Sequence, residues 1–216
     1  MRQYTAFDRL IGRVNKIIQA IPSSAPNESS EMTLVESNGI EADILLSPSE
    51  KAHSGALMRV NHCGEVSAQA LYLGQALVAR NHDLAEQLYH AANEEQVHLE
   101  WCSDRIQALG SRKSYLNPVW AIGSFTIGVV AGLFGDKISL GFMAETEKQV
   151  SEHLESHLSK ISPLDHESKW ILQRMKEDEA KHADNARELG GIPLPTPVQK
   201  GMAGMAKIMT TTAYYF

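Results

Sequence analysis

The sequence contains few of the residues that mark disulfide-bonded or nucleic-acid-binding proteins. Only two cysteines, Cys63 and Cys102, occur among 216 residues, and their spacing fits neither a disulfide framework nor a zinc knuckle. This favours a reducing compartment such as the cytoplasm. Because the net charge is −6, we expect no nucleic-acid partner, and charge alone would not hold the chain on an anionic membrane.

β-structure and export signals are also absent from the sequence. No long segment alternates apolar and polar residues as a half-buried strand does. The first residues contain no apolar run followed by a small-residue cleavage site, so we expect no secretory signal. With 43% apolar residues the chain can bury one domain-sized core. The sequence therefore predicts an all-α fold.

Proline and glycine mark the expected helix boundaries. Ser47 and Glu50 form a capping-box pattern, and Asn117, Ser162 and Thr196 each precede a proline as an N-cap residue would. The predicted helices span about 48–80, 83–109, 118–134, 137–161, 163–189 and 197–213. Before them we expect an amphipathic helix near 3–21 and a polar linker. The predicted division is an N-terminal segment, 1–46, and a main helical domain, 47–216.

Two Glu-x-x-His tetrads, Glu95–His98 and Glu179–His182, lie on strongly helical stretches. A spacing of three residues places a carboxylate and an imidazole on the same helix face. Each tetrad follows a lone inward-facing glutamate, Glu65 or Glu147. The offset between the two halves is 82 residues for the lone glutamates and 84 for the tetrads. These similar offsets indicate two helix pairs related by a pseudo-repeat.

The six residues replace apolar residues midway along core-facing stripes of four helices. Four bare carboxylates there would repel each other, and each uncompensated buried charge is costly. Two divalent ions would balance the four charges, and carboxylate-rich ligation with two imidazoles favours iron or manganese over zinc. The sequence thus predicts a ferritin-like four-helix bundle with a di-iron site. The expected ligands are Glu65, Glu95, His98, Glu147, Glu179 and His182.

Several other titratable residues have more than one interpretation. His153 and His157 are four residues apart and could form a metal pair, but no matching partner set supports this, which favours a structural role. His62 is interpreted as an outer contact of the site or as a packing residue. Glu94 and Asp178 directly precede the two tetrads. They either orient a ligating histidine or lie on a solvated face.

Residues 114–135 form a run of 22 residues without a charge. Its length and apolarity would suit a transmembrane helix. A single span here, however, would place Glu65 and Glu95 on one side of a bilayer and Glu147 and Glu179 on the other. We therefore expect the crossover between the second and third bundle helices. Because this crossover has no charged face, part of it should contact lipid, and the C-terminal helix should extend that surface.

These motifs together resemble the demethoxyubiquinone hydroxylase family over roughly residues 50–216. The resemblance rests on residues 59–65, RVNHCGE, on both tetrads, on Glu147 and on the apolar crossover. It implies a ferritin-like di-iron monooxygenase of ubiquinone biosynthesis. The expected reaction is O2-dependent hydroxylation of a polyprenyl demethoxy-benzoquinol, 5-demethoxyubiquinol, at its remaining unsubstituted ring carbon. The same six residues would be the catalytic metal ligands.

The resemblance also implies cofactors, partners and a location. The expected cofactors are two iron ions per chain, with O2 as co-substrate and an electron donor that the sequence does not identify. The expected partners are the polyprenyl quinol and a membrane lipid surface; association with other ubiquinone-biosynthesis proteins or as a homo-oligomer stays open. The expected location is the cytoplasmic side of the inner membrane, as a peripheral or monotopic protein. The sequence does not identify the residues that line the ring pocket, and Tyr72 and Cys102 are candidates by position only.

Other ferritin-like metal proteins remain alternatives. An iron-storage protein would have a charged exterior in place of the uncharged crossover. A soluble di-iron hydroxylase acting on a tRNA base would need a basic surface, which a net charge of −6 does not suggest. A manganese catalase shares the ligand types, and metal analysis with a peroxide assay would distinguish it.

Overall fold

The computed structural model describes residues 46–216 and, before them, only Gly12 and Asn15. Apart from those two residues and Leu46, the expected N-terminal helix and linker lie outside this described part. The described residues form six helices and no strand, which confirms the all-α class. The helices are α1, Pro48–Val78; α2, His82–Ala108; α3, Asn117–Leu133; α4, Asp136–Leu158; α5, His166–Glu188; and α6, Thr196–Tyr215.

Two helix pairs form the bundle. α1 packs along α2, and α4 packs along α5, and short connections make each pair antiparallel. The pairs meet where α1 contacts α4 and α2 contacts α5. α3 crosses from one pair to the other along α1, and α6 packs mainly on α1. This arrangement confirms the predicted ferritin-like bundle with a crossover helix and an additional C-terminal helix.

The crossover helix α3 touches α1 backbone to backbone. A Cβ atom at Gly128 would lie 2.1 Å from the carbonyl oxygen of Leu71, and one at Gly74 would lie 2.2 Å from that of Phe125. Only glycine allows the helices to approach this closely. The contact fixes which face of α3 is inside and leaves the opposite face exposed.

The exposed face of α3 is apolar. Its large side chains Val119, Ile122, Val130 and Leu133, together with Phe134 directly after the helix, are between 49% and 70% exposed. α6 contributes further exposed apolar residues, Val198, Met205 and Ile208. None of the described helices is both long enough and apolar enough to cross a membrane.

The start of α1 agrees with the sequence prediction. Ser47 is the N-cap, its hydroxyl accepts a hydrogen bond from the Glu50 backbone N–H, and the Glu50 carboxylate accepts one from the Ser47 N–H. Gly110 and Gly190 follow the ends of α2 and α5 with φ values of 67° and 96°, as expected of residues that end helices.

The three other predicted N-caps are wrong. α3 begins at Asn117 itself, because the Asn117 amide donates to His62 Nδ1 and does not cap the helix. The Ser162 hydroxyl donates to Glu50, and α5 starts only at His166, capped by Asp165. α6 starts at Thr196, which makes no capping hydrogen bond.

A fully buried arginine joins α2 to the start of α5. Arg105 donates to Asp165 and to Glu167, at 2.7 Å in each case, and to the Ser168 hydroxyl at 2.9 Å. A buried charge is tolerated only when it is paired and hydrogen-bonded, and these acceptors meet that requirement. The network holds the two tetrad-bearing helices together at one end of the bundle.

Candidate metal centre

The bundle brings all six predicted ligands together in its interior. They form two overlapping groups in which one nitrogen or oxygen atom from each residue lies within 4.8 Å of the others. The His98 cluster consists of Glu65, Glu95, His98 and Glu179, and the His182 cluster of Glu95, Glu147, Glu179 and His182. Glu95 and Glu179 belong to both clusters. The two clusters therefore share two of the four carboxylates.

Each histidine turns its Nδ1 atom toward the carboxylates. His98 Nδ1 lies 3.1 Å from Glu179, 3.3 Å from Glu95 and 3.5 Å from Glu65. His182 Nδ1 lies 3.3 Å from Glu179, 3.7 Å from Glu95 and 3.8 Å from Glu147. All six residues are buried, with at most 8% of their surface exposed. Water is therefore largely excluded from the centre.

The acids that precede the tetrads contact the histidines from outside, and they do so crosswise. Glu94, on α2, lies 3.2 Å from Nε2 of His182 on α5. Asp178, on α5, lies 3.6 Å from Nε2 of His98 on α2. Of the two interpretations of these acids, the structure supports contact with a histidine. Such contacts fix the orientation of the ring and make its inward nitrogen a better donor to metal.

Tyr72 contacts the centre from α1. It is fully buried, and its hydroxyl donates a hydrogen bond to Oε1 of Glu147. The sequence showed Tyr72 on the inward stripe of α1, two turns after Glu65, but not its partner on α4. Cys102, the other residue expected near the ring pocket, is buried with its thiol 3.7 Å from the Met175 sulfur.

Burial and like charges dominate the electrostatics of the centre. Burial, followed by the charge of Glu179, raises the pKa values of Glu95 and Glu147 well above their usual range. Burial also opposes ionisation of Glu179, but hydrogen bonds from His182 and His98 outweigh it and lower its pKa. Surrounding acids overcome the effect of burial and raise the pKa values of His98 and His182. The centre formed by the six clustered residues thus strongly favours a bound positive charge.

The donor set fits a pair of divalent ions. Oε1 of Glu95 and Oε2 of Glu147 are buried without a hydrogen-bond partner among the described residues. Unsatisfied buried carboxylate oxygens are destabilising, and coordination of a cation would satisfy them. Four carboxylates and two imidazoles supply −4, which two divalent ions balance. The structure therefore offers two sites able to bind metal ions.

The other histidines considered from the sequence lie outside both clusters. His62 is buried beside Asn117, so it is a packing residue and not a ligand in either group. His153 and His157 pack ring against ring with centroids 3.9 Å apart, and His157 Nδ1 lies 2.8 Å from the Asn61 side-chain oxygen. Neither belongs to a metal-binding group among the described residues, which agrees with the favoured structural role.

A four-helix bundle whose core carries two overlapping Glu/His clusters defines a ferritin-like di-metal carboxylate protein. Residues 52–213 of the chain match the family described as "Ubiquinone biosynthesis protein COQ7". The match covers nearly all of the described part of the chain and all six clustered residues. The chain belongs to this family.

Relatives of similar length carry a specific name. A protein of Polynucleobacter necessarius subsp. necessarius, named 3-demethoxyubiquinol 3-hydroxylase, is 49% identical over 96% of this chain and 97% of its own length. Proteins of the same name from Ralstonia pickettii and Legionella pneumophila (strain Corby) are each 46% identical. The former alignment covers 96% of this chain and 98% of the relative, and the latter covers 100% of both.

Proposed function

We propose that this chain is a 3-demethoxyubiquinol 3-hydroxylase of ubiquinone biosynthesis whose two clusters each hold one iron ion. The observation that carries the proposal is the pair of buried clusters joined by Glu95 and Glu179 in a chain of the COQ7 family. In this proposal residues 47–216 form the catalytic domain, and the six clustered residues are its catalytic metal ligands.

Iron is favoured by the chemistry of the ligands and by the reaction. Carboxylates and imidazoles suit iron or manganese, whereas no thiolate is present in either cluster. Two ferrous ions would supply the two electrons needed to reduce O2 while one oxygen atom enters the quinol ring. The second oxygen atom leaves as water with two protons. Each turnover would therefore consume two electrons from an electron donor and two protons.

The residues of the chain itself would bind the two ions, orient the imidazole rings and keep water out of the centre. Glu95 and Glu179, which belong to both clusters, would help to hold both ions, and Glu65 with His98 or Glu147 with His182 would complete each site. Asp178 and Glu94 hold the two imidazole rings from outside. The apolar helices around the clusters exclude water, which strengthens every electrostatic interaction within.

The apolar outer face of α3 supports membrane attachment. A polyprenyl quinol resides in lipid, so an enzyme that modifies it benefits from a face that contacts the bilayer. Val119, Ile122 and Val130 are exposed on α3 without any charged side chain on that helix. Such a face is suited to lie in the interface and not to span it. We propose that the protein attaches this way to the cytoplasmic side of the inner membrane.

Metal counting combined with a turnover assay tests the proposal. Protein purified without oxygen and loaded with ferrous iron should contain two iron ions per chain and should hydroxylate a short-chain demethoxyubiquinol under O2. Glu179→Ala removes a ligand from both clusters, so we expect fewer than one tightly bound iron and a fall in turnover of at least about 100-fold. Glu177→Ala, at an exposed position on the same helix, should retain both properties.

Two outcomes would contradict the proposal. Unimpaired turnover by Glu179→Ala would show that the reaction occurs elsewhere. Full loading with manganese, rapid disproportionation of peroxide and no conversion of the quinol would instead favour a catalase.

A further inference from the structure

The two ligand clusters are related by the pseudo-repeat, but their surroundings are not equivalent. Tyr72 follows Glu65 by seven residues, and Leu154 follows Glu147 by seven residues, so they occupy corresponding positions on α1 and α4. Both side chains are buried, with 0% and 1% of their surface exposed. One half of the repeat therefore places a phenol at this position, and the other half places an aliphatic side chain.

The phenol reaches across the bundle to a ligand of one cluster only. Tyr72, on α1, donates its hydroxyl to Oε1 of Glu147, which belongs to the His182 cluster. Leu154, the corresponding residue of α4, has no donor to offer to Glu65 of the His98 cluster. It packs instead in an apolar group with Cys102 and Met175.

A hydrogen bond from a neutral hydroxyl to a ligating carboxylate competes with a cation for the lone pairs of the same oxygen. The O–H group stabilises the ionised form of the buried Glu147 carboxyl when no cation is bound. The same bond withdraws electron density from the oxygen and so weakens its attraction for a metal ion. It also holds Oε1 in place and leaves Oε2, which has no hydrogen-bond partner among the described residues, as the free donor. Stabilisation of the metal-free carboxylate and withdrawal of electron density from its oxygen both reduce the free energy gained when a cation binds.

We propose that Tyr72 makes the two metal sites unequal, so that the His182 site binds its divalent ion more weakly than the His98 site. The inference rests on the proposed di-metal function and names Tyr72 as a positioning residue of that centre. It follows that chelation should empty the His182 site first.

Binding of cobalt(II) to the metal-stripped full-length chain tests the inference without any measurement of turnover. Cobalt(II) accepts the same ligand types as ferrous iron and reports coordination through its visible absorption. Calorimetric and spectroscopic titration without oxygen should give two ions per wild-type chain, bound in two distinguishable steps. Tyr72→Phe removes the hydroxyl and keeps the ring, so we expect the weaker step to tighten about threefold to tenfold.

Variants that lack the histidine of one site show which of the two sites is affected by Tyr72→Phe. In a His98→Ala background the Tyr72→Phe change should tighten the remaining site, and in a His182→Ala background it should have no effect. Tyr89→Phe is the matched control, because Tyr89 lies in the same core cluster as Tyr72 but in neither ligand cluster. It should leave both steps unchanged.

The possible results separate this inference from the function on which it rests. Two bound ions whose affinities Tyr72→Phe does not change would overturn the inference and leave the di-metal centre intact. Weaker binding at the His182 site in Tyr72→Phe would also overturn it, because Tyr72 would then assist binding. Failure of the wild-type chain to bind cobalt at all would overturn both.

Discussion

Neighbouring side chains and burial shift the pKa values of histidines inside the bundle in opposite directions. His98 and His182 lie among carboxylates, which raise their pKa values in spite of burial. His153 is half-buried and packs against His157, and burial and, to a smaller extent, the charge of Lys160 lower its pKa to about 4. The surrounding carboxylates thus favour the charged form of His98 and His182, whereas His153 is neutral in the folded protein near pH 7.

The neutral His153 predicts a loss of stability in acid. Its pKa rises from about 4 in the folded chain to its ordinary value of 6.5 on unfolding, so the unfolded chain binds the extra proton. The contribution of neutral His153 to the free energy of unfolding is complete above about pH 6.5 and is lost as the pH falls toward 4. Between pH 7.5 and 5, His153→Gln should lose about 2 kcal/mol less free energy of unfolding than the wild type. Urea denaturation at several pH values measures this.

His82→Gln provides the control for this experiment, since the His82 side chain is 80% exposed. Its pH dependence should follow that of the wild type. If the free energy of unfolding of the wild type and of His153→Gln changed in parallel with pH, His153 would be protonated equally in the folded and unfolded states.

The sequence predicted which side chains cluster in the core better than it predicted their neighbours. The six clustered residues follow from helical spacing and from the two similar offsets, both of which are local properties of a sequence. The partner of Tyr72, and the crossed contacts of Glu94 and Asp178, depend on how one helix is rotated against another. No spacing within a single helix specifies that rotation.

At the scale of the helices, the contact between α1 and α3 depends on glycine. A methyl group at Gly128 would enter the space occupied by the Leu71 carbonyl oxygen, so the two helices would have to separate. Gly128→Ala should therefore lower the free energy of unfolding by about 2 kcal/mol or more. Urea denaturation of purified protein checks this value.

Gly123→Ala on the same helix is the matched control. A Cβ atom at Gly123 meets nothing within 4 Å, so the higher helix propensity of alanine should raise stability by about 0.5–1 kcal/mol. If both variants were stabilised, α3 would not pack on α1 as the structure shows.

The helix order and approximate bounds were predictable, whereas several helix starts were not. Capping and proline rules consider a few neighbouring residues only. At Ser162 and Asn117 the side chains hydrogen-bond to Glu50 and His62, both on α1, and these distant partners override the local signal. The same limit applies to Arg105, whose acceptors lie about 60 residues further along the chain.

At the scale of the whole molecule, the exposed face of α3 predicts attachment to lipid. Ile127 and Val130 are 38% and 49% exposed on that face. Glutamate at both positions would remove two apolar contacts and add two charges, so binding to lipid vesicles should weaken at least about tenfold. Co-sedimentation with vesicles of bacterial lipids measures the bound fraction.

Leu164→Glu is the comparison, because Leu164 is 40% exposed but lies in the connection between α4 and α5. It should bind vesicles as the wild type does. Unchanged binding of the double glutamate variant would contradict attachment through α3.

The shared positions of Glu95 and Glu179 have a consequence for how the proposed ions would be acquired. Each cluster takes residues from both helix pairs, so an ion held by a whole cluster would be bound only after the halves have docked. A cation that binds the assembled state alone shifts the folding equilibrium toward it by mass action. Metal supply and the amount of intact protein are thereby linked, and scarcity of the ion would reduce both together.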